Sequence, residues 1–121
     1  MRELTGHKVN PANDKLTVTV LDEPGAGGAC HRYVISGMNS GNVLHVELGF
    51  QNGPIAEAGV NGITHEVLLS ILIDRMEGFQ SGPYANEHNA AALFHLQTAQ
   101  AELLARTSER MTRGVEGTMA V

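Results

Sequence analysis

A chain of 121 residues, 42% of them hydrophobic, has material for one domain, or for one small domain with an appended element. Thirteen Asp and Glu against eight Lys and Arg give a formal charge of −5, which argues against long nucleic acid as a partner because that needs a broad basic surface. The longest near-apolar run, residues 67–73, is far too short for a membrane span. The N-terminus has no apolar core of a secretory signal, and the lone Cys30 rules out an internal disulfide and fits a reducing cytoplasm.

The first half reads as β structure. Residues 15–23 (KLTVTVLDE) alternate with period 2 and are rich in β-branched side chains, so they predict a strand. The glycine-rich PGAGGA (24–29) is a turn, CHRYVIS (30–36) the returning strand, GMNSGN (37–42) a second turn, and VLHVELGFQ (43–51) a third strand. A meander of three or four antiparallel strands follows. A glycine-rich turn can cradle phosphate, but that use needs a helix N-terminus behind it, and here a strand follows.

The second half reads as helix. Thr64 stands at an N-cap with Glu66 in the first turn, and the helix runs to a stop at Gly78. Its apolar positions, Val67, Leu68, Leu69, Ile71, Leu72, Ile73 and Met76, cover more than one stripe. A helix apolar on most sides is buried on most sides, which predicts a subunit interface in so small a chain. FQSGPYA (79–85) turns the chain, Asn86 caps a second helix, and that helix extends from Glu87 to Arg113 with Gly114 behind it. The fold class is therefore α+β: an N-terminal antiparallel β region (1–59) followed by a C-terminal αα-hairpin (60–121), forming one structural unit that oligomerises through the hairpin.

Three of the six arginines, Arg106, Arg110 and Arg113, recur at spacings of four and three and project from one helix face. They suit the negative end of the helix dipole, and equally an anion, for which the planar guanidinium fork fits phosphate oxygens better than lysine would. Glu109 points off that face. Phe79, in the loop between the helices, is either a core plug or a stacking platform for a base. Asn89 and Tyr84 either face solvent or read polar edges of a ligand. The six histidines show no metal-ligand spacing, and no nucleophile–base or paired-carboxylate motif stands out, so neither a metal, a cofactor nor a catalytic residue is assigned.

The segments RELTGHKVN, VLDEPGAGGA, FQNGPI, GVNG, DRMEGFQSGPYA and the closing RT…R…RGVEG together resemble the phage anti-Thoeris sponge family over nearly the whole chain. From about residue 60 the hairpin is also similar to that of a phage anti-CBASS sponge family. The resemblance implies a non-enzymatic phage protein of the host cytoplasm that sequesters a TIR-made cyclic ADP-ribose isomer, glycocyclic ADP-ribose, and so blocks Thoeris signalling. It implies assembly as a dimer or hexamer through the hairpins. Some relatives also hold CBASS cyclic trinucleotides at a separate site, which the resemblance puts in the NGPI and VNGIT region.

Carried over by resemblance, Phe79 is the stacking aromatic, Asn89 the hairpin asparagine, and Arg106 and Arg110 the phosphate-gripping arginines; Arg113 and Tyr84 stay as further candidates. Phe79 and Arg110 fall at opposite ends of the second helix, so one ligand can meet both only where two hairpins pack head-to-tail. The rival readings are a sponge for CBASS cyclic oligonucleotides, a phosphodiesterase that degrades the signal with a divalent metal, and a structural phage protein.

Overall fold

The computed structural model describes residues 1–39 and 41–121. The chain is α+β, with a four-stranded antiparallel sheet followed by a helix pair. It forms two compact units, Met1–Ile63 and Thr64–Val121.

In the first unit the strands β1 (Arg2–Leu4), β2 (Thr17–Val20), β3 (Arg32–Asn39) and β4 (Asn42–Gly49) lie in chain order as a meander. The alternation in β2 sets Val18 and Val20 on one face, opposite Ile35 and Tyr33 of β3, which in turn face Val46 and Leu48 of β4. Val20 is the one large side chain fully buried among the described residues, and the Tyr33 and Phe50 rings meet edge to face at 5.6 Å.

Several bounds differ from the sequence reading. β2 stops at Val20 rather than continuing to residue 23, because the Asp22 carboxylate accepts the backbone N–H groups of His31 and Arg32 in place of ladder carbonyls. Cys30 and His31 precede the strand and are both buried, rather than alternating across a sheet. Gly37 to Asn39, read as part of the second turn, belong to β3, and Asn42 begins β4; Ser40 lies outside the described residues. The glycine-rich segment makes a short 3-10 turn over Ala26–Gly28, where Gly27 and Gly28 take φ values of 76° and 80° that other residues rarely adopt.

Three small elements had no clear sequence signal: β1, the helix α1 (Pro11–Asp14) and the helix α2 (Ile55–Ala58). Behind β4, Ile63 closes the unit by donating to Gly49 O and accepting from Gln51 N, which makes a parallel bridge beside Phe50. Gly62 permits it, since a Cβ there would stand 2.4 Å from the Phe50 carbonyl carbon.

The second unit is an antiparallel pair, α3 (His65–Gln80) and α4 (Glu87–Thr112). Thr64 and Asn86 cap them by accepting the N–H groups of Val67 and Asn89. The less exposed positions repeat at four and three, with Leu68 as an added member beside Leu69: Glu66, Leu69, Ile73, Met76 and Gln80 on α3, and Asn89, Leu93, Leu96, Gln100, Leu103, Thr107 and Arg110 on α4. That spacing is the seam of a two-helix coiled coil. Gln100 fixes the register by donating to Ser70 Oγ at 2.8 Å and to Glu66 O at 3.3 Å.

Outside the seam, α3 leaves Val67, Ile71 and Leu72 about half exposed, and α4 leaves Phe94, Leu104 and Met111 at 50% or more. Among the described residues none of α3 is buried, and in α4 only Arg110 is. No helix among the described residues is long and apolar enough to cross a membrane.

Candidate functional site

The α3 helix does not stop at Gly78. It runs through to Gln80, with Ser81 as the capping residue, because Gly82 and Pro83 rather than Gly78 break the turn. Phe79 therefore sits on the last helical turn and not in a loop, one turn above Arg75. The Arg75 guanidinium carbon lies 5.7 Å from the centre of the Phe79 ring. These two residues, with Gly78, Gly82, Pro83 and Tyr84, line an open hollow of about 290 Å³. Phe79 is 44% exposed and Tyr84 74% exposed, so both rings offer aromatic surface to whatever enters. The sequence reading missed Arg75, although its spacing of four from Phe79 is the signal for such a contact.

Asn89, in the first turn of α4, is half-buried. Its backbone N–H is used by the Asn86 cap, while its own side-chain amide has no partner among the described residues. Phe79, Tyr84 and Asn89 thus belong to the turn end of the hairpin. Arg106 lies seventeen residues beyond Asn89 along one continuous helix, which is about 26 Å of axial rise. The hairpin of one chain does not bring the aromatic and the arginines together.

The three arginines also part company in their surroundings. Arg106 is exposed, and none of the ion pairs among the described residues includes it. Arg110 is 6% exposed and almost fully used: Nε donates to Glu116, one terminal nitrogen to Ala120 O, and the other to Val115 O and Thr118 O. The residues after α4 are wrapped round this guanidinium. Arg113 pairs with Glu109 one turn back and donates to Val121 O at 3.0 Å. Glu109 accordingly turns toward the arginine face rather than away from it. Glu116, unnoticed in the sequence, is the carboxylate that balances Arg110.

Among the described residues no cluster of three or more His, Cys, Asp and Glu could hold a metal. The polar junction at the base of the sheet is a clasp. Asn61 donates to Asn52 O and accepts from Asn52 N–H, both at 2.8 Å, and the Gln51 amide bonds Gly53 O, Gly59 O and Asn61 N–H.

Residues 44–108, more than half of the chain, match a family described as Acb2/Tad1, hairpin domain; the match starts within β4 and reaches into α4. The chain belongs to the Acb2/Tad1 hairpin-domain family. A relative named Thoeris anti-defense 1, from Bacillus phage SBSphiJ7, is 42% identical over 71 residues, which is 59% of this chain and 50% of the relative. In that match the chain spans about half the length of the curated relative. Phe79, Tyr84, Asn89 and Arg106 fall within the span matched by the Acb2/Tad1 family, whereas Arg110 and Arg113 lie beyond it.

Proposed function

We propose that this chain is a phage anti-defence sponge, acting in the host cytoplasm during infection. It binds a TIR-made cyclic ADP-ribose isomer, of the glycocyclic ADP-ribose kind, and holds it uncleaved so that Thoeris signalling is blocked. Family membership and the name of the relative support the reading. The observation that carries it is the hollow of Phe79, Arg75 and Tyr84, an aromatic platform left open at a helix end.

In this reading Phe79 stacks on the adenine, which is typically worth about 1–3 kcal/mol per base. Tyr84 borders it, and Asn89 reads a polar edge with its unpartnered amide. Arg106 supplies an open guanidinium to the pyrophosphate, where a charge-assisted hydrogen bond contributes about 1.5–3 kcal/mol. Arg110 joins it by exchanging tail carbonyls and Glu116 for phosphate oxygens, with Arg113 beside them. Such a sponge acts by stoichiometry, so it is no enzyme and takes no cofactor.

The separation of about 26 Å along α4 requires that the platform of one copy meet the arginines of another. Head-to-tail packing of two hairpins, as a dimer or within a hexamer, does this and covers the half-exposed Val67, Ile71 and Leu72 of α3.

The Asn52–Asn61 clasp favours a second ligand. It joins the NGPI and VNGIT segments and leaves Ile55 and Val60 exposed beside a rigid polar frame, which suits a CBASS cyclic trinucleotide.

The test is to incubate the purified chain with nucleotide extract from infected, Thoeris-bearing cells, wash it, denature it by heat, and identify the released small molecules by mass spectrometry. An intact cyclic ADP-ribose isomer is expected, and its recovery should fail with Phe79→Ala and with Arg106→Ala. Release of linear products would mean a phosphodiesterase instead. Recovery of cyclic trinucleotides alone would mean a CBASS sponge, and recovery of nothing would leave a structural protein.

A further inference from the structure

α3 carries a single glycine, Gly78, and the helix does not ask for it. Its backbone is helical and its φ lies outside the left-handed region, so any residue could adopt the conformation. It stands off the seam, at an exposed position between Met76 and Gln80. A Cβ built there would meet nothing within 4 Å outside its chain neighbours and its own helix backbone, so the glycine makes no room for α4 either. Inside a helix glycine is the least favourable residue after proline, and alanine is the best. The fold is weaker for having glycine at this position and gains no packing from it.

What Gly78 does border is the hollow. Arg75, Gly78, Phe79 and Gly82 recur at spacings of three and four, which sets them along one face at the end of α3. The half-exposed Phe79 ring is therefore flanked by bare main chain, at Gly78 beside it and at Gly82 beyond, where an added Cβ would again meet nothing within 4 Å. A planar ring broader than a phenyl, such as a purine, overhangs Phe79 when it stacks. The overhang needs a surface from which no side chain stands up.

The walls of the hollow are pinned. The Gln80 side-chain amide accepts from Asn86 N–H at 3.1 Å and donates to Asn86 O at 3.2 Å. The Asn86 amide in turn donates to Tyr84 O at 3.1 Å, and Ser81 Oγ donates to Gly78 O at 2.8 Å. These bonds hold the turn from Ser81 to Asn86 against the end of α3, so a side chain added at position 78 competes with the ligand for the space.

We propose that Gly78 is a specificity-determining residue of this site: its missing side chain admits a ring of purine breadth onto Phe79, and the base of the ligand lies against the main chain of α3. This role rests on the reading of the hollow as a nucleotide site and adds which part of the ligand meets the helix backbone.

Gly78→Ala in the full chain separates binding from stability, because the two should move in opposite directions. The thermal midpoint should rise by about 2–4 °C, since alanine favours the helix and narrows the unfolded ensemble. The probe is the nucleotide extract of infected, Thoeris-bearing cells, with retained cyclic ADP-ribose isomer measured by equilibrium dialysis and mass spectrometry. Retention should fall at least about tenfold as the stacked ring is displaced. Gly78→Leu, which also suits a helix, should retain less still. Gly6→Ala is the control: Gly6 lies outside the hollow, its φ is not left-handed, its Cβ would meet nothing within 4 Å, and retention should not change.

Equal retention by Gly78→Ala and the unaltered chain overturns the proposal and leaves the sponge reading standing. No retention by the unaltered chain overturns that reading and the proposal with it. A fall in retention with a lowered thermal midpoint would make the glycine structural. A fall that comes with loss of assembly in sedimentation would assign it to close approach by a second copy, and either result overturns the proposal.

Discussion

Arg75 stands over the face of Phe79, its guanidinium carbon 5.7 Å from the ring centre. The contact orients a ring that packing alone leaves 44% exposed. Exposed cation–π pairs are worth about 0.5–1 kcal/mol, so Arg75 orients Phe79 more than it stabilises the fold. Phe79→Ala should weaken ligand binding by about 1–3 kcal/mol, or roughly 5- to 150-fold, and Arg75→Gln by only a few-fold. Titration calorimetry of both variants against the purified cyclic nucleotide checks the order; an equal loss in the two would make Arg75 a direct ligand contact.

Arg106 and Arg110 should separate by phenotype. Arg106→Ala removes an exposed guanidinium without an ion pair among the described residues, so its thermal midpoint should barely move while affinity falls by about 1.5–3 kcal/mol. Arg110→Ala removes the hub of the residues that follow α4. The amide of Thr118, which donates to Val115 O, should then exchange much faster by hydrogen–deuterium mass spectrometry.

Glu116→Ala distinguishes the two uses of Arg110. If phosphate oxygens replace the tail around that guanidinium, loss of the competing carboxylate raises ligand affinity. If Arg110 only anchors the tail, affinity stays where it was.

Gly62→Ala drives a Cβ into the Phe50 carbonyl carbon and the Gln51 nitrogen, both backbone atoms that cannot swing aside. A cost of about 1–3 kcal/mol is expected from such overpacking. It should appear as early melting of sheet signals by near-ultraviolet or NMR probes of Tyr33 and Phe50, with helix signals of Thr64–Val121 unchanged below the main transition.

Asp22 carries an acid-sensitive contribution. The backbone N–H of His31 above all, then those of Arg32 and of Asp22 itself, and last the charge of His31, hold its carboxyl below the ordinary value of 3.8; partial burial opposes them. A carboxylate lowered on folding stabilises the fold fully above its unfolded pKa and loses that contribution as pH falls through the folded one. Melting curves from pH 5 down to pH 2 should therefore fall more steeply for the natural chain than for Asp22→Asn.

Much of this architecture was legible because it rests on local periodicity. The alternation of Thr17–Val20 and of Val43–Glu47, the caps Thr64 and Asn86, and the long stripe of α4 each signal their own element. β1 was not, since Arg2–Leu4 offers one apolar residue and gains its strand only from pairing with Val18–Val20. Gly78 read as a helix stop because glycine often is one; here its backbone stays helical and the break waits for Gly82 and Pro83. The fate of Arg110 was hidden for a different reason. Three of its acceptors are main-chain carbonyls, which every residue type carries, so no side-chain pattern announces them.

The helices of the hairpin are unequal, sixteen residues in α3 against twenty-six in α4, and Gln100 pins them in register near the start of α3. Arg106 and Arg110 therefore lie on the stretch of α4 that runs past the start of α3, at a distance along the axis set by a residue count. Removing seven residues from α4 between Asn89 and Arg106 would retract them by about 10 Å while nearly preserving their bearing around the axis. Removing three or four would swing them toward the seam or away from it. Span in such a molecule is heritable as an integer, changed by whole heptads that keep the seam spacing of α4.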